Sequence, residues 1–220
     1  MSNAYTGQVT VGGPADTRAL PGLAVTKVAV GPMNNNAYLL RCTTTGEQLL
    51  IDAANEPATL LGLVGEAGLA TVVTSHRHAD HVQALAEVVA ATGATTLAHA
   101  DDADAIPVPT ARTLHDGDEV TVGRATLRAI HLVGHTPGSV ALLYDADPAA
   151  PHLFTGDCLF PGGPGNTFGD AAAFTTLMDD LEAKIFGPLP DTTWIYPGHG
   201  DDTVLGTERP HLAEWRARGW

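Results

Sequence analysis

Positive charge is scarce in this sequence. Nine arginines and only two lysines, Lys27 and Lys184, stand against 25 acidic residues, for a net charge of −14. No basic cluster interrupts that excess, so no nucleic-acid partner is expected, because phosphate contacts need a basic footprint. Arg112, Arg124 and Arg128 fall close together but read as a solvated face. Cysteine is rarer still. Cys42 and Cys158 alone are too few for a disulfide framework, and both read as reduced thiols. No stretch approaches about 18 uninterrupted apolar residues. Met1 to Gly13 likewise lacks a basic segment followed by an apolar one. The expectation is a cytoplasmic protein with no membrane partner. A fixed-period repeat is also absent, which argues against a solenoid.

What the chain does have is a globular, turn-rich composition. Of 220 residues 44% are apolar, with 24 glycines and 15 prolines, enough for one well-packed α/β domain. Residues 1–22, with the β-prone run Gln8 to Val11, read as a peripheral arm, and 23–220 as a single domain. Leu23 to Val30, Ala37 to Cys42 and Gln48 to Asp52 have the spacing of an antiparallel meander. Pro57 to Leu69 has helical periodicity. A strand over 70–75 then leads into a helix running to about Thr92.

Between that strand and that helix lies the densest chemistry in the chain, Ser75-His76-Arg77-His78-Ala79-Asp80-His81. Three imidazoles and a carboxylate within six residues outline a metal site, since these are ligands that zinc, iron and manganese accept. In an extended segment His76 and His78 share one side and Arg77 takes the other. A helix start near Asp80 would turn Asp80 and His81 towards a second point. Asp80 with Gln83 also has the form of a capping box, so the same carboxylate is expected to cap the helix while binding a metal.

The second half repeats one theme, an apolar strand that ends in a polar, glycine-flanked cluster. Ala125 to Val133 runs into Gly-His135-Thr-Pro-Gly-Ser, His152 to Phe154 into Thr-Gly-Asp157-Cys, and Thr192 to Tyr196 into Pro-Gly-His199-Gly. Taken singly each reads as a cap or turn residue. Together they supply the ligands that the first cluster lacks for two complete coordination shells. Asp170 to Phe186 reads as an amphipathic helix and Glu208 to Arg218 as a short final one. His99, His115, His131 and His211 read as loop, turn, strand and surface-helix residues. Cys158 reads as a small residue packed under the metal loop.

In this order, HRHADH, GHTPGS, TGDCLF and PGHG resemble the metallo-β-lactamase superfamily over roughly residues 23–200. The resemblance implies a four-layer αβ/βα sandwich, two mixed β-sheets with helices on the outer faces and a site along one sheet edge. It also implies that His76, His78 and His135 bind a first metal, that Asp80, His81 and His199 bind a second, and that Asp157 bridges them. Two divalent ions follow, zinc first, with iron and manganese as the other candidates. TGDCLFPGGPG is similar to the glyoxalase II-like branch, which hydrolyses thioesters of hydroxy acids. Two features depart from that branch. Only 20 residues follow Gly200, where glyoxalase II carries a helical extension, and Asn166 stands where relatives commonly have arginine.

The function this implies is hydrolysis of a small acyl thioester by a metal-bridging hydroxide, with the pKa of water lowered from 15.7 towards about 7. Asp80 is both ligand and orienter of that hydroxide. A thiolate leaving group, with a pKa of about 8.5, needs little help from a separate acid. A single-iron persulfide dioxygenase, a lactonase and a non-catalytic metal-binding protein are the other readings of the same residues. The oligomeric state is not legible.

Overall fold

The computed structural model describes residues 4–219; the first three residues of the arm lie outside them. Asp16–Leu20 (β1), Leu23–Val30 (β2), Asn35–Cys42 (β3), Gln48–Ile51 (β4), Thr71–Val73 (β5), Thr95–His99 (β6) and Arg112–Leu114 (β7) form a seven-stranded sheet in that spatial order. The pairs β1 to β4 are antiparallel, as the short turns between them require, and β4 to β7 are parallel. Two α-helices make the crossovers between the parallel strands: Pro57–Val64 (α1) joins β4 to β5 and Leu85–Thr92 (α2) joins β5 to β6. A third, Ala100–Ala103 (α3), follows β6.

The second sheet has six strands. Glu119–Val122 (β8), Ala125–His131 (β9), Val140–Tyr144 (β10), His152–Gly156 (β11), Trp194–Pro197 (β14) and Thr203–Val204 (β15) lie in the order β15-β14-β11-β10-β9-β8. Leu159–Phe160 (β12) and Gly163–Pro164 (β13) make a small separate hairpin. Ala171–Asp180 (α4), Leu205–Glu208 (α5) and Leu212–Arg218 (α6) complete the described elements that matter here.

Strand alternation explains why these sheets stack. In β3, Tyr38, Leu40 and Cys42 point to one side and Ala37 and Leu39 to the other; in β4, Leu49 and Ile51 oppose Leu50. Both sides are buried, as in a sheet covered on both faces. The first set meets Leu127, Leu142, Phe154 and Tyr196 of the second sheet, forming the central core. The second set packs under Leu60, Val64, Leu85 and Val88 of α1 and α2. On the far face, Phe174, Leu177, Met178 and Trp215 of α4 and α6 cover Ile130, Leu143 and Ile195. Two mixed sheets face each other with helices outside, the four-layer αβ/βα arrangement that the motifs imply.

Several local expectations are corrected. Gln8 to Val11 is not a strand, whereas Asp16–Leu20 is one and pairs with β2 along its whole length. The helix after the histidine cluster begins at Leu85, not near Asp80. Ala79–His81 is a single 3-10 turn that starts from His78, and Asp80 makes no cap hydrogen bond. The reason is tertiary. Gln83 and Ala84 donate their backbone N–H groups to Ala54 and Ala53, which holds the chain against the end of β4 until Leu85. The helix over 170–186 is α-helical only to Asp180, with Asp170 as its N-cap, and continues as a π-helix, Leu181–Phe186. The wider turn brings Phe186 round beside Leu181 and Ile185, so that all three are buried, and sets it edge-on to Trp215. His115-Asp116-Gly117-Asp118 is a turn, but it carries the chain from one sheet to the other and does not close a hairpin.

Candidate metal centre

The strands β4, β5, β6, β9, β11 and β14 all end at the same edge of the sandwich. Their C-terminal loops carry Asp52, His76 to His81, His99, His135, Asp157 and His199. Seven of these side chains were singled out from sequence, and the structure brings all seven together. His76, His78 and His135 form one group whose ligand atoms lie within 4.8 Å of one another, and Asp80, His81 and His199 form another. Asp157 touches both: Oδ1 lies 3.3 Å from His81 Nε2, and Oδ2 lies 3.4 Å from His199 Nε2 and 3.6 Å from His135 Nε2.

Two glycines allow this convergence. A Cβ on Gly198 would stand 2.1 Å from Asp157 Oδ1, and one on Gly165 would stand 1.7 Å from the Asp157 carbonyl. A side chain at Gly198 would push the carboxylate away, and one at Gly165 would push away the backbone that carries it. The PGHG loop is also laced in place. Asn36 donates to the carbonyls of Pro197 and Gly200, Tyr38 donates to Pro197, and the fully buried Lys27 donates to Gly200 and Asp202.

Hydrogen bonds set the tautomers, and the result decides what the centre can hold. His81 Nδ1–H donates to Asp52 at 2.9 Å, His135 Nδ1–H to the Asn166 carbonyl at 2.8 Å, and His199 Nδ1–H to the Met33 carbonyl at 3.0 Å. Ser75 Oγ gives its proton to Asp52, so it accepts from His76 Nδ1 at 3.0 Å. Four imidazoles therefore turn a bare Nε2 inward. His76 and His135 Nε2 lie 3.3 Å apart, His81 and His199 Nε2 lie 3.1 Å apart, and His78 Nδ1 lies 2.9 Å from His135 Nε2. Lone pairs facing each other at these distances repel unless a cation sits among them. Ligands about 2.0–2.1 Å from a tetrahedral ion are themselves about 3.4 Å apart. The rings fan accordingly, at 71–87° to one another in the first group and 83° between His81 and His199. Asp157 Oδ1 is buried without a hydrogen-bond donor, an orphan a positive ion would satisfy. The donor set fits divalent transition metals.

The electrostatics follow from the same contacts. Burial holds His76, His78 and His135 below the ordinary histidine range, which keeps them neutral and ready as ligands. Burial also opposes charge on His81, but the Asp157 and Asp52 carboxylates beside it outweigh that and raise its pKa to about 10. The carboxylates that favour positive charge at His81 would favour a metal ion at its bare Nε2 in the same way.

Two carboxylates essential to this layout were not picked out from sequence. Asp52, in left-handed backbone at φ 59°, binds Ser75 N–H, Ser75 Oγ and His81 at once. Its only sequence signal was a carboxylate ending a strand. Asp102, fully buried, accepts from Arg77 N–H, Thr136 Oγ1 and Gly138 N–H, tying the loop of His76 and His78 to that of His135. Nothing local marks it. Asn35 was missed as well; its Nδ2 donates to Asp80 Oδ2 at 2.8 Å, the bond that Asp80 makes in place of a cap.

The rim is partly apolar. Phe168, 69% exposed and at φ 56°, stands edge-on to His78 at 5.5 Å, Phe160 lies 6.4 Å from His199, and Met33 is 60% exposed. Asn166 braces this wall: its side chain accepts from Phe168 N–H while its carbonyl orients His135. Beyond Phe160 a cleft of about 340 Å³ runs to Asn166 and Arg218. Cys158 is fully buried and its thiol is pushed up to about 12 by burial.

The profile of the Metallo-beta-lactamase superfamily matches residues 30–199. A hydroxyacylglutathione hydrolase of Fuscovulum blasticum is 35% identical over 182 residues, 82% of this chain and 67% of that protein. One from Polaromonas is 36% identical over 75% of this chain and 62% of its own length. The chain thus spans about two thirds of the length of these curated relatives. The crystal structure of TTHA1623 in a di-iron-bound form is 34% identical, covers 83% of this chain and 96% of that one, and superposes with a TM-score of 0.70. Sequence match, fold and convergent ligand geometry lead to one assignment: the chain belongs to the metallo-beta-lactamase superfamily.

Proposed function

We propose that this protein is a metal-dependent hydrolase of small acyl thioesters, of the glyoxalase II kind. His76, His78 and His135 hold one divalent ion and Asp80, His81 and His199 the other, with Asp157 between them. Zinc is the first candidate, with iron and manganese behind it. The observation that carries this reading is the pair of inward-facing nitrogen fans joined by one carboxylate whose Oδ1 lacks a hydrogen-bond donor. The hydroxyacylglutathione hydrolases similar to this chain support the thioester bond as the target.

Bound divalent ions would supply Lewis acidity, acidifying a water and polarising the acyl carbonyl. The chain's own residues do the rest. Asn35 fixes Asp80 at the lip of the second group, where its carboxylate orients the nucleophile's proton. Asp52 and Asn166 keep His81 and His135 in the tautomers that leave Nε2 bare. Phe160, Phe168 and Met33 border the substrate's approach. A thiolate leaves without a dedicated acid, because its pKa is about 8.5.

The test joins elemental analysis to a panel of acyl thioesters, with a lactone and a phosphodiester for contrast. Two metals per chain and thioester turnover that disappears in His78→Ala and Asp157→Ala are the expected results. Turnover by the metal-free protein would overturn the proposal. A second reading, persulfide oxygenation at a single iron, rests on the first group alone, whose three imidazoles already make a complete fan. One iron per chain, with oxygen consumed in the presence of a persulfide, would select it.

A further inference from the structure

Five histidines stand outside the metal centre, and three of them, His99, His115 and His131, form a group. They come from the end of β6, the turn between the sheets and the end of β9, yet they meet at one place. His99 and His131 stack with ring centroids 3.7 Å apart, and His115 lies 6.0 Å from His99. Asp101, at the exposed start of α3, puts its carboxylate 3.7 Å from His99 Nδ1. Ligand atoms of His99, Asp101 and His131 all lie within 4.8 Å of one another.

We propose that His99, Asp101 and His131 form a further binding site for a borderline divalent transition metal such as zinc, with His115 as the mobile fourth ligand. It is distinct from the proposed catalytic pair. Two imidazoles and a carboxylate are a ligand set that zinc accepts, and such a site with three protein ligands leaves one position open.

His131 carries the second observation. Its Nε2–H donates to the Pro137 carbonyl at 2.7 Å, which leaves Nδ1 as the bare nitrogen. A ring N–H given to a backbone carbonyl is the arrangement by which a ligand histidine is usually oriented. The residue's backbone is pinned on both sides, N–H to Asp116 and carbonyl to Lys184. The same bond braces the loop that carries His135 while leaving Nδ1 of His131 turned toward His99 and Asp101.

One feature separates this group from the first. Its stacked rings lie at 21°, whereas those of His76, His78 and His135 stand at 71–87° to one another. Binding an ion requires the stack to open towards that fan by rotation about χ2, a soft and broad torsion in histidine. Asp101 and His115 are largely exposed and free to follow. An ion there would also bear on the catalytic loops. Pro137 lies in the His135 loop, and Asp102, next to Asp101, ties that loop to Arg77.

The test is titration of the holoprotein with zinc, read by calorimetry and by elemental analysis after dialysis. One equivalent beyond those of the catalytic centre is expected. Asp101→Ala and His131→Ala should each weaken that equivalent by about tenfold or more and leave the others, whereas His78→Ala should leave it in place. Asp101 is exposed, so its variant folds whatever the fate of His131→Ala. Absence of an added equivalent, or one that survives both substitutions, would overturn the proposal. The comparison is between variant and parent, so it stands whether the catalytic centre holds one ion or two.

Discussion

Asp52 shows how much a single carboxylate can organise. It sits in the left-handed region, where an aspartate pays a steric penalty, and persists because three donors converge on it. Asp52→Ala should therefore free the ring of His81 outright and loosen the first group less, only through Ser75 and His76. Elemental analysis is expected to find the second ion lost, with metal affinity there down by about 10–100-fold. His152 offers a prediction of a different kind. Burial, then Arg18, lowers its pKa to about 4 from 6.5. The folded state therefore binds fewer protons than the unfolded one. The stability is full above pH 6.5, falls as pH drops towards about 4, and is flat below that. The whole effect is at most about 3 kcal/mol. Urea denaturation of His152→Gln across this window should show a correspondingly shallower fall than the parent. Cys158 has the opposite character, an inert thiol in the core, so iodoacetamide should not reduce turnover of the folded enzyme.

At the scale of elements, the loop after β14 is the most heavily braced part of the centre. Lys27 belongs to β2, points between the sheets like Leu23 and Val25, and ends with Nζ against Gly7, Gly200 and Asp202. Tyr5 and Trp194 donate to the other oxygen of Asp202, so the arm helps to anchor the segment that carries His199. A buried ion pair is weak evidence of stability, but removing one partner strands the other. Lys27→Met should lower unfolding free energy by about 3–5 kcal/mol and weaken binding at the Asp80, His81 and His199 group more than at the other. Adding Asp202→Asn should recover much of the stability without recovering the metal affinity. Equal loss at both groups would contradict this.

The same elements show what was legible in the sequence and what was not. Near-continuous β-prone runs located β2, β3 and β4 to within two residues, because both faces of a buried strand must be apolar. The strand-end histidines were legible because a dense, glycine-flanked cluster has few structural uses. Asp80 was misread as a cap, since the capping-box pattern Asp80/Gln83 is local while the contacts of Gln83 and Ala84 with Ala53 and Ala54 are not. The π turn over Leu181–Phe186 escaped for the same reason: its cause is the position of the second-sheet core and Trp215, which helical periodicity does not contain.

For the whole molecule, the proposed ligands come from four separate strand ends on both sheets, so a bound ion would tie the two halves of the sandwich together. Anything that binds the folded state alone stabilises it. Dialysis against a chelator should lower the melting temperature by at least about 5 °C and abolish thioester hydrolysis, with both restored by zinc, iron or manganese. Calorimetry on apo and reloaded protein checks this, and an unchanged melting temperature would argue against ions bridging the sheets. No helix among the described residues is long and apolar enough to cross a membrane.

The sequence by itself determined the layered α/β architecture, the seven clustered side chains and the absence of a basic surface. All three depend on residue type and on spacing within one strand or one loop. Tertiary structure alone decided which nitrogen each imidazole presents, that Asp52 and Asp102 stand behind the ligands, and that His99, Asp101 and His131 meet. Those depend on partners tens of residues away, brought into hydrogen-bond range only when two sheets end at the same edge.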